Sequence, residues 1–227
     1  MNVNIWGPPT WDVLHSCAFL FDEKKLNSSK FFECLKVLLP CIYCRNSYAQ
    51  FLEQVGLPST GQSAPWLYKI HEMVNMKLFN QKLEKVFGPS GDCKKQSRAL
   101  FVQPTFEVVQ KRYLVNREEP IVWRSLNTML LAFAMGFETN ASSAEIMNAF
   151  NILLETILQL LHLDNPNSKN NTLVIELTNL LNYKSASKLR ERIEAMKYSK
   201  IVPKIIKSSS VSANLIRAGS CINGSCY

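Results

Sequence analysis

The stretch Pro40-Cys41-Ile42-Tyr43-Cys44 places two thiols three residues apart, directly after a proline. Pro40 favours the end of one helix, and the residues from Cys41 to about Val55 have the spacing of the next helix. The first N–H groups of a helix, together with its dipole, stabilise a thiolate. The stretch therefore predicts a reactive and reducible thiol pair at the start of a helix.

Helical patterns surround this pair in the first part of the chain. Ser28 and Ser29 are candidate N-caps for the helix that ends at Pro40, and Ser63 with Pro65 marks the start of another. Helices are expected at about residues 8–21, 29–40, 41–55 and 63–86. Four helices joined by short loops within roughly 90 residues are typical of a small helical bundle.

The remainder of the chain divides into two further parts. After a break at residues 88–91, helical patterns recur at about 119–137, 143–163, 172–182 and 186–199, with Ser142 and Glu145 as a capping box. From Lys200 the chain has basic residues, a serine run and no acidic residue. We therefore predict an all-α protein with a bundle domain at 1–92, an additional helical domain or extension at 93–199, and a flexible basic tail at 200–227.

Composition argues against several classes of protein. With eight glycines in 227 residues there is no Gly-rich phosphate-binding motif. The net charge of +8 is scattered, so nucleic-acid binding is not expected as the main role. The longest apolar run, 129–137, is too short to span a membrane, and the N-terminus lacks the pattern of a secretory signal. We therefore expect a cytoplasmic protein with no membrane span.

The pair Cys41 and Cys44 has two other interpretations. A zinc site needs four ligands, but the next close cysteine pair stands near the end of the chain, so we expect no metal. A thioredoxin-like fold needs βαβ units, and no strand pattern flanks the pair. Redox chemistry within a helical fold remains the favoured interpretation.

A second close pair, Cys221 and Cys226, lies at the end of the basic tail. Asn223-Gly224 between them favours a turn, so the two thiols could meet. The alternative is that they are two incidental cysteines. We favour a carrier of electrons or disulfides that serves the first pair. Cys17, Cys34 and Cys93 have no close partner in the sequence.

One predicted helix face offers groups suited to a flat aromatic ligand with phosphates. His71, Asn75, Leu78 and Lys82 recur at helical spacing. Trp11 and His15 repeat an aromatic and imidazole pair on the first helix. Taken singly, such residues are more often core residues, but their occurrence with a thiol pair at a helix start favours a cofactor site.

Three blocks of the sequence resemble the Erv/ALR family of FAD-linked sulfhydryl oxidases over about residues 4–85. They are Trp6-Gly7-x3-Trp11-x2-Leu14-His15, Pro40-Cys41-x2-Cys44 and Trp66-x4-His71-x2-Val74-Asn75-x2-Leu78. Their order and spacing both fit the family. Each block alone would be weak, but the three together are specific.

The resemblance implies a helical bundle that binds FAD, usually as a homodimer. It also implies that protein thiols and molecular oxygen are converted to disulfides and hydrogen peroxide. By position, Cys44 would be the thiol next to the flavin and Cys41 the thiol that exchanges with substrates. The residues implied at the FAD are Trp11, His15, His71, Val74, Asn75 and Leu78, with Lys82 a candidate for the phosphates.

The sequence departs from the family pattern at several positions. Leu39 replaces a usual tyrosine, and Glu72 replaces a usual asparagine. The family's C-x16-C disulfide would join positions 68 and 85, which are Tyr68 and Lys85 here. Members without this disulfide occur among large DNA viruses, which extends the expected location to a viral factory or virion. The departures also leave a rival function open, a non-enzymatic helical interaction protein that has kept a degenerate oxidase fold.

Overall fold

The computed structural model describes residues 3–87, 102–115, 121–136, 142–164, 172–196, 221–222 and 225–226. Within these ranges the chain is helical apart from short connections and one hairpin whose two strands have two residues each. This confirms the all-α prediction. The first five helices are α1 (Val3–Glu23), α2 (Ser29–Glu33), α3 (Leu35–Leu38), α4 (Ile42–Val55) and α5 (Ser63–Phe87). The next five are α6 (Phe106–Val115), α7 (Ile121–Met135), α8 (Ser143–Asp164), α9 (Thr172–Leu180) and α10 (Ala186–Met196).

Helix α1 begins earlier than the sequence predicted. Pro8 and Pro9 were expected at its start, but both lie inside the helix, which begins at Val3. Each proline removes one backbone hydrogen bond. The Thr10 hydroxyl donates to the carbonyl of Trp6 at 2.8 Å, and the Trp6 side chain is buried. The extra turn is therefore held by burial of Trp6, which outweighs the two lost bonds.

The predicted second helix is divided into α2 and α3, which are separated by Cys34. Ser28 stands at the N-cap of α2, but its hydroxyl makes no cap hydrogen bond. That hydroxyl lies 2.7 Å from the hydroxyl of Ser63, at the start of α5. The N-terminus of α5 is capped from α1, because the Asp22 carboxylate accepts from the backbone N–H groups of Ser63 and Ala64 at 2.7 and 2.9 Å. These contacts join the ends of three elements of the bundle.

The C-terminal helices share one hydrophobic core with the first five. Helix α7 packs along α1, α8 packs against α2 and α3, and α10 packs against α7. The largest buried side chains come from both parts of the chain, for example Phe31 and Phe32 with Phe133 and Phe150. The capping box that begins α8 is confirmed, since Ser142 N–H donates to Glu145 and Glu145 N–H donates to the Ser142 hydroxyl. Helix α6 was not predicted.

By length and composition, one described helix segment, Ser143–His162, could cross a membrane. Half of that segment is buried inside the fold. Its buried residues pack against α2, α3 and α9, as in the central helix of a helical core. A single such helix is weak support for a membrane span.

A short antiparallel hairpin ends the described chain. Its strands are β1 (Cys221–Ile222) and β2 (Ser225–Cys226), with Cys221 opposite Cys226 in the register. The backbone of β2 lies beside α1 and α5. Residues 197–220, which hold the end of the helix predicted at 186–199 and the tail from 200 up to the hairpin, lie outside the described residues, as do Cys93 and the break at 88–91.

Candidate functional site

A cavity of about 480 Å³ lies between α1, α3, α4 and α5. Its wall is largely apolar and aromatic, which suits a flat heteroaromatic ligand. Trp6 and Trp11 of α1 face into it, and both residues of the thiol pair open onto it. From α5 the lining includes Val74, Lys77 and Leu78. The cavity thus unites the three sequence blocks that were predicted to form one site.

The thiol pair stands at the start of α4, as predicted. Cys41 is the N-cap residue with an extended backbone, and its carbonyl accepts from the N–H groups of Cys44 and Arg45 at 2.9 Å each. The tight turn brings the two thiols together. The side chains of Cys41 and Cys44 are both partly accessible, whereas those of Cys17 and Cys34 are buried in the core.

The environment separates the two thiols in acidity. Burial alone would raise the pKa of Cys41, but hydrogen bonds from the Cys44 thiol and from the backbone N–H groups of Cys44 and Tyr43 outweigh burial and lower it. Burial, together with the hydrogen bond and charge of Cys41, raises the pKa of Cys44 to about 12. Of the two thiols, Cys41 is therefore the one that loses its proton more readily.

Two cations lie near the Cys44 thiol. Lys77 lines the cavity, and its charge, like that of Arg45, lowers the pKa of Cys44 and opposes burial. The Lys77 ammonium donates to the hydroxyl of Ser47 on α4. The Arg45 guanidinium donates to the carbonyl of Leu39. These positive charges would stabilise a thiolate on Cys44 once Cys41 no longer carries the charge.

A contact from the C-terminal part of the chain fixes the backbone directly before the thiol pair. Gly136, directly after α7, lies against Pro40 so closely that a Cβ atom there would stand 2.5 Å from the Pro40 Cα. Real side chains do not tolerate such a distance to backbone. A glycine is therefore required at this position if Pro40, and with it Cys41, is to stay in place.

Behind the cavity wall lies a chain of stacked rings. The Trp11 ring stacks on His71 at a centroid distance of 3.8 Å and an angle of 10°. The Nδ1 atom of His71 lies 2.9 Å from the Nε2 atom of His15. Burial, with a smaller contribution from the charge of Arg112, lowers the pKa of His15 to about 3. His15 is therefore a neutral group that sets the position of the ring next to it.

The predicted cofactor-binding residues fall into three groups. Trp11, Val74 and Leu78 line the cavity, while His15, His71 and Asn75 are buried directly behind its wall. Lys82 is exposed one turn beyond Leu78 and is not among the described residues that line the cavity. For Cys221 and Cys226 the structure describes the backbone pairing and no side-chain position.

Two residues of the site were missed in the sequence. Lys77 directly precedes Leu78 on α5. Its distance from Cys44 on α4 cannot be predicted without knowing how the two helices pack. Trp6 was used as part of a motif, but its role as a wall of the cavity depends on the unpredicted first turn of α1. Trp6 is 5% exposed, and its Nε1 atom is buried with no hydrogen-bond partner among the described residues.

These features fit FAD in kind. The orphaned Trp6 N–H could donate to a polar edge of a bound ring, the aromatic and aliphatic wall would contact its faces, and Lys77 would meet a phosphate or an anionic ring edge. The isoalloxazine of FAD has apolar faces and polar edges of this kind. Within the described ranges, no group of three or more His, Cys, Asp or Glu side chains could hold a metal ion.

The fold and the site together define a helical bundle that holds a reactive C-x2-C pair at an aromatic cofactor cavity. Residues 8–99 match the model of the Erv1 / Alr family, and this segment holds the thiol pair and both histidines of the stack. The match covers 92 of the 227 residues, so the likeness to this family concerns the N-terminal part of the chain. This likeness implies FAD-linked thiol oxidase activity in general. Comparisons with curated proteins and with solved structures found no match.

Proposed function

We propose that this chain is an FAD-dependent sulfhydryl oxidase that forms disulfides in protein substrates and reduces oxygen to hydrogen peroxide. The observation that carries the proposal is the shared cavity, which brings Cys41 and Cys44 together with Trp11, Val74 and Leu78. When bound there, FAD would accept two electrons and pass them to oxygen. The protein supplies the thiol pair, its acidity and the position of the ring.

The two thiols divide the exchange between them. A substrate thiolate attacks the Cys41 sulfur of the oxidised pair, which forms a mixed disulfide and releases Cys44 as a thiolate. In that state Cys41 bears no charge, so its contribution to the raised Cys44 pKa is gone while that of burial remains, and Lys77 and Arg45 stabilise the anion. A second substrate thiol then displaces Cys41, a good leaving group because its pKa is lowered. The reduced pair would then give two electrons and two protons to bound FAD, and the Cys41–Cys44 disulfide would form again.

The surface next to Cys41 suits a protein substrate. Ile42 and Tyr43, between the two cysteines, are apolar or aromatic and well exposed, with Tyr43 77% exposed. An unfolded or extended segment that carries a thiol would find apolar contacts beside the reactive sulfur. This arrangement supports protein thiols rather than small polar thiols as the preferred substrates.

We extend the proposal to a shuttle role for Cys221 and Cys226. Their positions are opposite each other in the terminal hairpin, and β2 lies beside α1 and α5, the helices that carry Trp11 and His71. The shuttle would take electrons from a substrate and pass them to Cys41. Replacing both tail cysteines with serine should spare oxidation of dithiothreitol and slow oxidation of a reduced protein. Equal loss with both substrates would contradict the shuttle.

The test of the main proposal begins with colour and oxygen. Purified full-length protein should show the visible absorption of a flavin and consume oxygen with dithiothreitol. The Cys44→Ser variant should keep the flavin and lose turnover, while the control Cys17→Ala, in the core of α1, should retain it. A folded, colourless wild-type protein that leaves oxygen untouched would favour the non-enzymatic interaction protein instead.

The assembly state and location are also proposals. We propose a homodimer, as is usual in the Erv/ALR family, and a cytoplasmic location, which for a viral protein would extend to the factory or virion of a large DNA virus. Sedimentation of the flavin-loaded protein at several concentrations tests the dimer. A single species with the 25.9 kDa mass of one chain at all concentrations would contradict it.

A further inference from the structure

A partly buried acidic residue on α1, Asp12, bonds to two helices that lie outside the matched segment 8–99. The Asp12 carboxylate accepts from the Tyr113 hydroxyl at 2.8 Å and pairs with Arg112 at 3.3 Å, both on α6. Its other oxygen accepts from the Ser125 hydroxyl of α7 at 3.3 Å. Asp12 thus has a partner for each oxygen, and these bonds fix the position of Tyr113 relative to α1.

Tyr113 in turn covers the rear of the ring stack. Its ring stacks on His15 at a centroid distance of 5.1 Å and an angle of 19°. It also faces Phe19, at 6.4 Å and 25°. From His15 the stack continues through the hydrogen bond to His71 and ends at Trp11, which lines the cavity. An unbroken set of contacts therefore runs from the Asp12 cluster to the cavity wall.

The tilt of the His15 ring depends on this cover. Its Nε2 atom bonds to His71, but its Nδ1 atom is buried without a hydrogen-bond partner in the described part of the chain. A ring held by one hydrogen bond can pivot about it. The neighbouring aromatic ring supplies the second constraint, because stacked rings resist both rotation and sliding.

We propose that Tyr113 is a positioning residue that fixes His15, and through His15 and His71 the Trp11 ring, in the geometry that a bound flavin requires. The inference rests on the proposed function for the identity of the ligand. Residues beyond the matched segment 8–99 would then support the cofactor site from behind its wall, without touching the cofactor. The additional helices then serve the site as well as the core.

The test compares two substitutions of Tyr113 with a matched control in full-length protein. Tyr113→Leu removes the stacked ring, whereas Tyr113→Phe keeps the ring and loses the bond to Asp12. Tyr183→Leu is the control, since Tyr183 is also partly buried in the C-terminal part but lines a separate cavity with Asn179, Asn182 and Arg192. The first readout is equilibrium binding of FAD to flavin-free protein, followed by quenching of flavin fluorescence.

Loss of the ring should weaken FAD binding by about tenfold, since an aromatic pair contributes up to about 1.5 kcal/mol. Tyr113→Phe should weaken it by about threefold or less, and Tyr183→Leu should leave it within about twofold even if its melting temperature falls equally. Unchanged binding in Tyr113→Leu, or an equal loss in the control, would overturn the inference. A wild-type protein that binds no FAD would instead refute the proposed function.

A second readout does not depend on the flavin. The imidazole nitrogen NMR signals of His15 and His71 in the flavin-free protein report the ring geometry and their shared hydrogen bond. These signals should shift in Tyr113→Leu and remain close to the wild type in Tyr113→Phe and Tyr183→Leu. If they are the same in all four proteins, Tyr113 does not position the rings, whatever the ligand.

Discussion

His15 and His71 share a hydrogen bond of 2.9 Å between Nε2 and Nδ1, and each side chain is only 1% exposed. One of these nitrogens donates and the other accepts, so the bond requires at least one neutral ring. The lowered pKa of His15 keeps that ring neutral at physiological pH. The wall behind Trp11 is consequently held by a buried hydrogen-bonded pair in which His15 is neutral.

Acid should destabilise the protein through this pair. Unfolded His15 takes up a proton below pH about 6.5, whereas folded His15, with a pKa of about 3, does not. The free energy of unfolding should therefore fall as the pH drops through this window, by up to about 1.4 kcal/mol per pH unit from this group. Urea unfolding between pH about 7 and 5 measures the slope.

The matched comparison uses two histidine replacements. His15→Gln should reduce the dependence of unfolding free energy on pH, although it also lowers stability at neutral pH. His162→Gln, at an exposed position in α8, serves as the control. A slope in His15→Gln as steep as in the wild type would show that His15 is not the group that resists protonation.

The cysteines should differ in their rates of alkylation. In the reduced protein, Cys41 should react first with iodoacetamide because its pKa is lowered and its side chain is partly accessible. Cys44 should react more slowly, and Cys17 and Cys34 slowest, since burial raises the pKa of each to about 12. Peptide mass spectrometry after timed labelling at neutral pH gives the order. Faster labelling of Cys44 than of Cys41 would reverse the assigned roles.

Adding a side chain at position 136 should displace the thiol pair. In Gly136→Ala the new Cβ would stand 2.5 Å from the Pro40 Cα, so one backbone segment must move. Overpacking of this kind costs about 1–3 kcal/mol of stability, and we expect slower thiol oxidation with flavin still bound. Stopped-flow reduction of the flavin by dithiothreitol measures the effect.

The control for this substitution is Gly61→Ala, where the added Cβ meets nothing within 4 Å. That residue has a φ of +79°, so the control also costs stability through backbone strain. A loss of stability in both variants, with slower flavin reduction in Gly136→Ala alone, would link the Pro40 contact to the redox pair. Normal flavin reduction in Gly136→Ala would show that the pair tolerates the shift.

Substitutions of Lys77 and Lys82 should affect different properties, the rate of flavin reduction and the binding of flavin respectively. Removing the charge in Lys77→Met should raise the pKa of Cys44 further and slow electron transfer from the thiol pair, because Lys77 is the cation that acts on Cys44 from the cavity wall. Lys77→Arg should retain most of the activity. If Lys82 contacts the phosphates of FAD, Lys82→Met should weaken flavin binding without changing the rate of its reduction. A rate that is unaffected in Lys77→Met would contradict its role.

Local patterns predicted much of the fold and of the cavity wall. The helix start at Cys41, the capping box at Ser142 and the shared face of His71, Asn75 and Leu78 depend on neighbours within a few residues. Such signals can be read along the chain, because hydrogen bonding at helix ends and helical spacing are local effects.

The missed features depend on residues far apart in the sequence. Asp22 caps α5 across about forty residues, and Tyr113 meets Asp12 across about a hundred. Helix α6 is short and gains its stability from contacts with α1 rather than from its own pattern. The first turn of α1, before Pro8, was not predicted for a related reason. Burial of Trp6 offsets the cost of the prolines, and no rule based on neighbouring residues includes that burial.

At the position of the family's missing disulfide, the chain uses noncovalent contacts. Tyr68, where the first cysteine would stand, donates its hydroxyl to the carbonyl of Pro104 at 2.8 Å and packs edge-on against Phe106. Its link therefore runs to the segment that leads into α6. The second position, Lys85, has no described side chain.

The contact between Gly136 and Pro40 also has a consequence for the order of synthesis. Pro40 and the thiol pair are synthesised well before Gly136. The roughly one hundred residues between them take about 5 to 20 s to synthesise at typical rates of translation. During that interval the nascent thiols lack the Gly136 contact, although the described residues that line the cavity, which end at Gln81, have already been made. A newly made chain would therefore complete the surroundings of its thiol pair late in translation, after five of its seven cysteines had been synthesised.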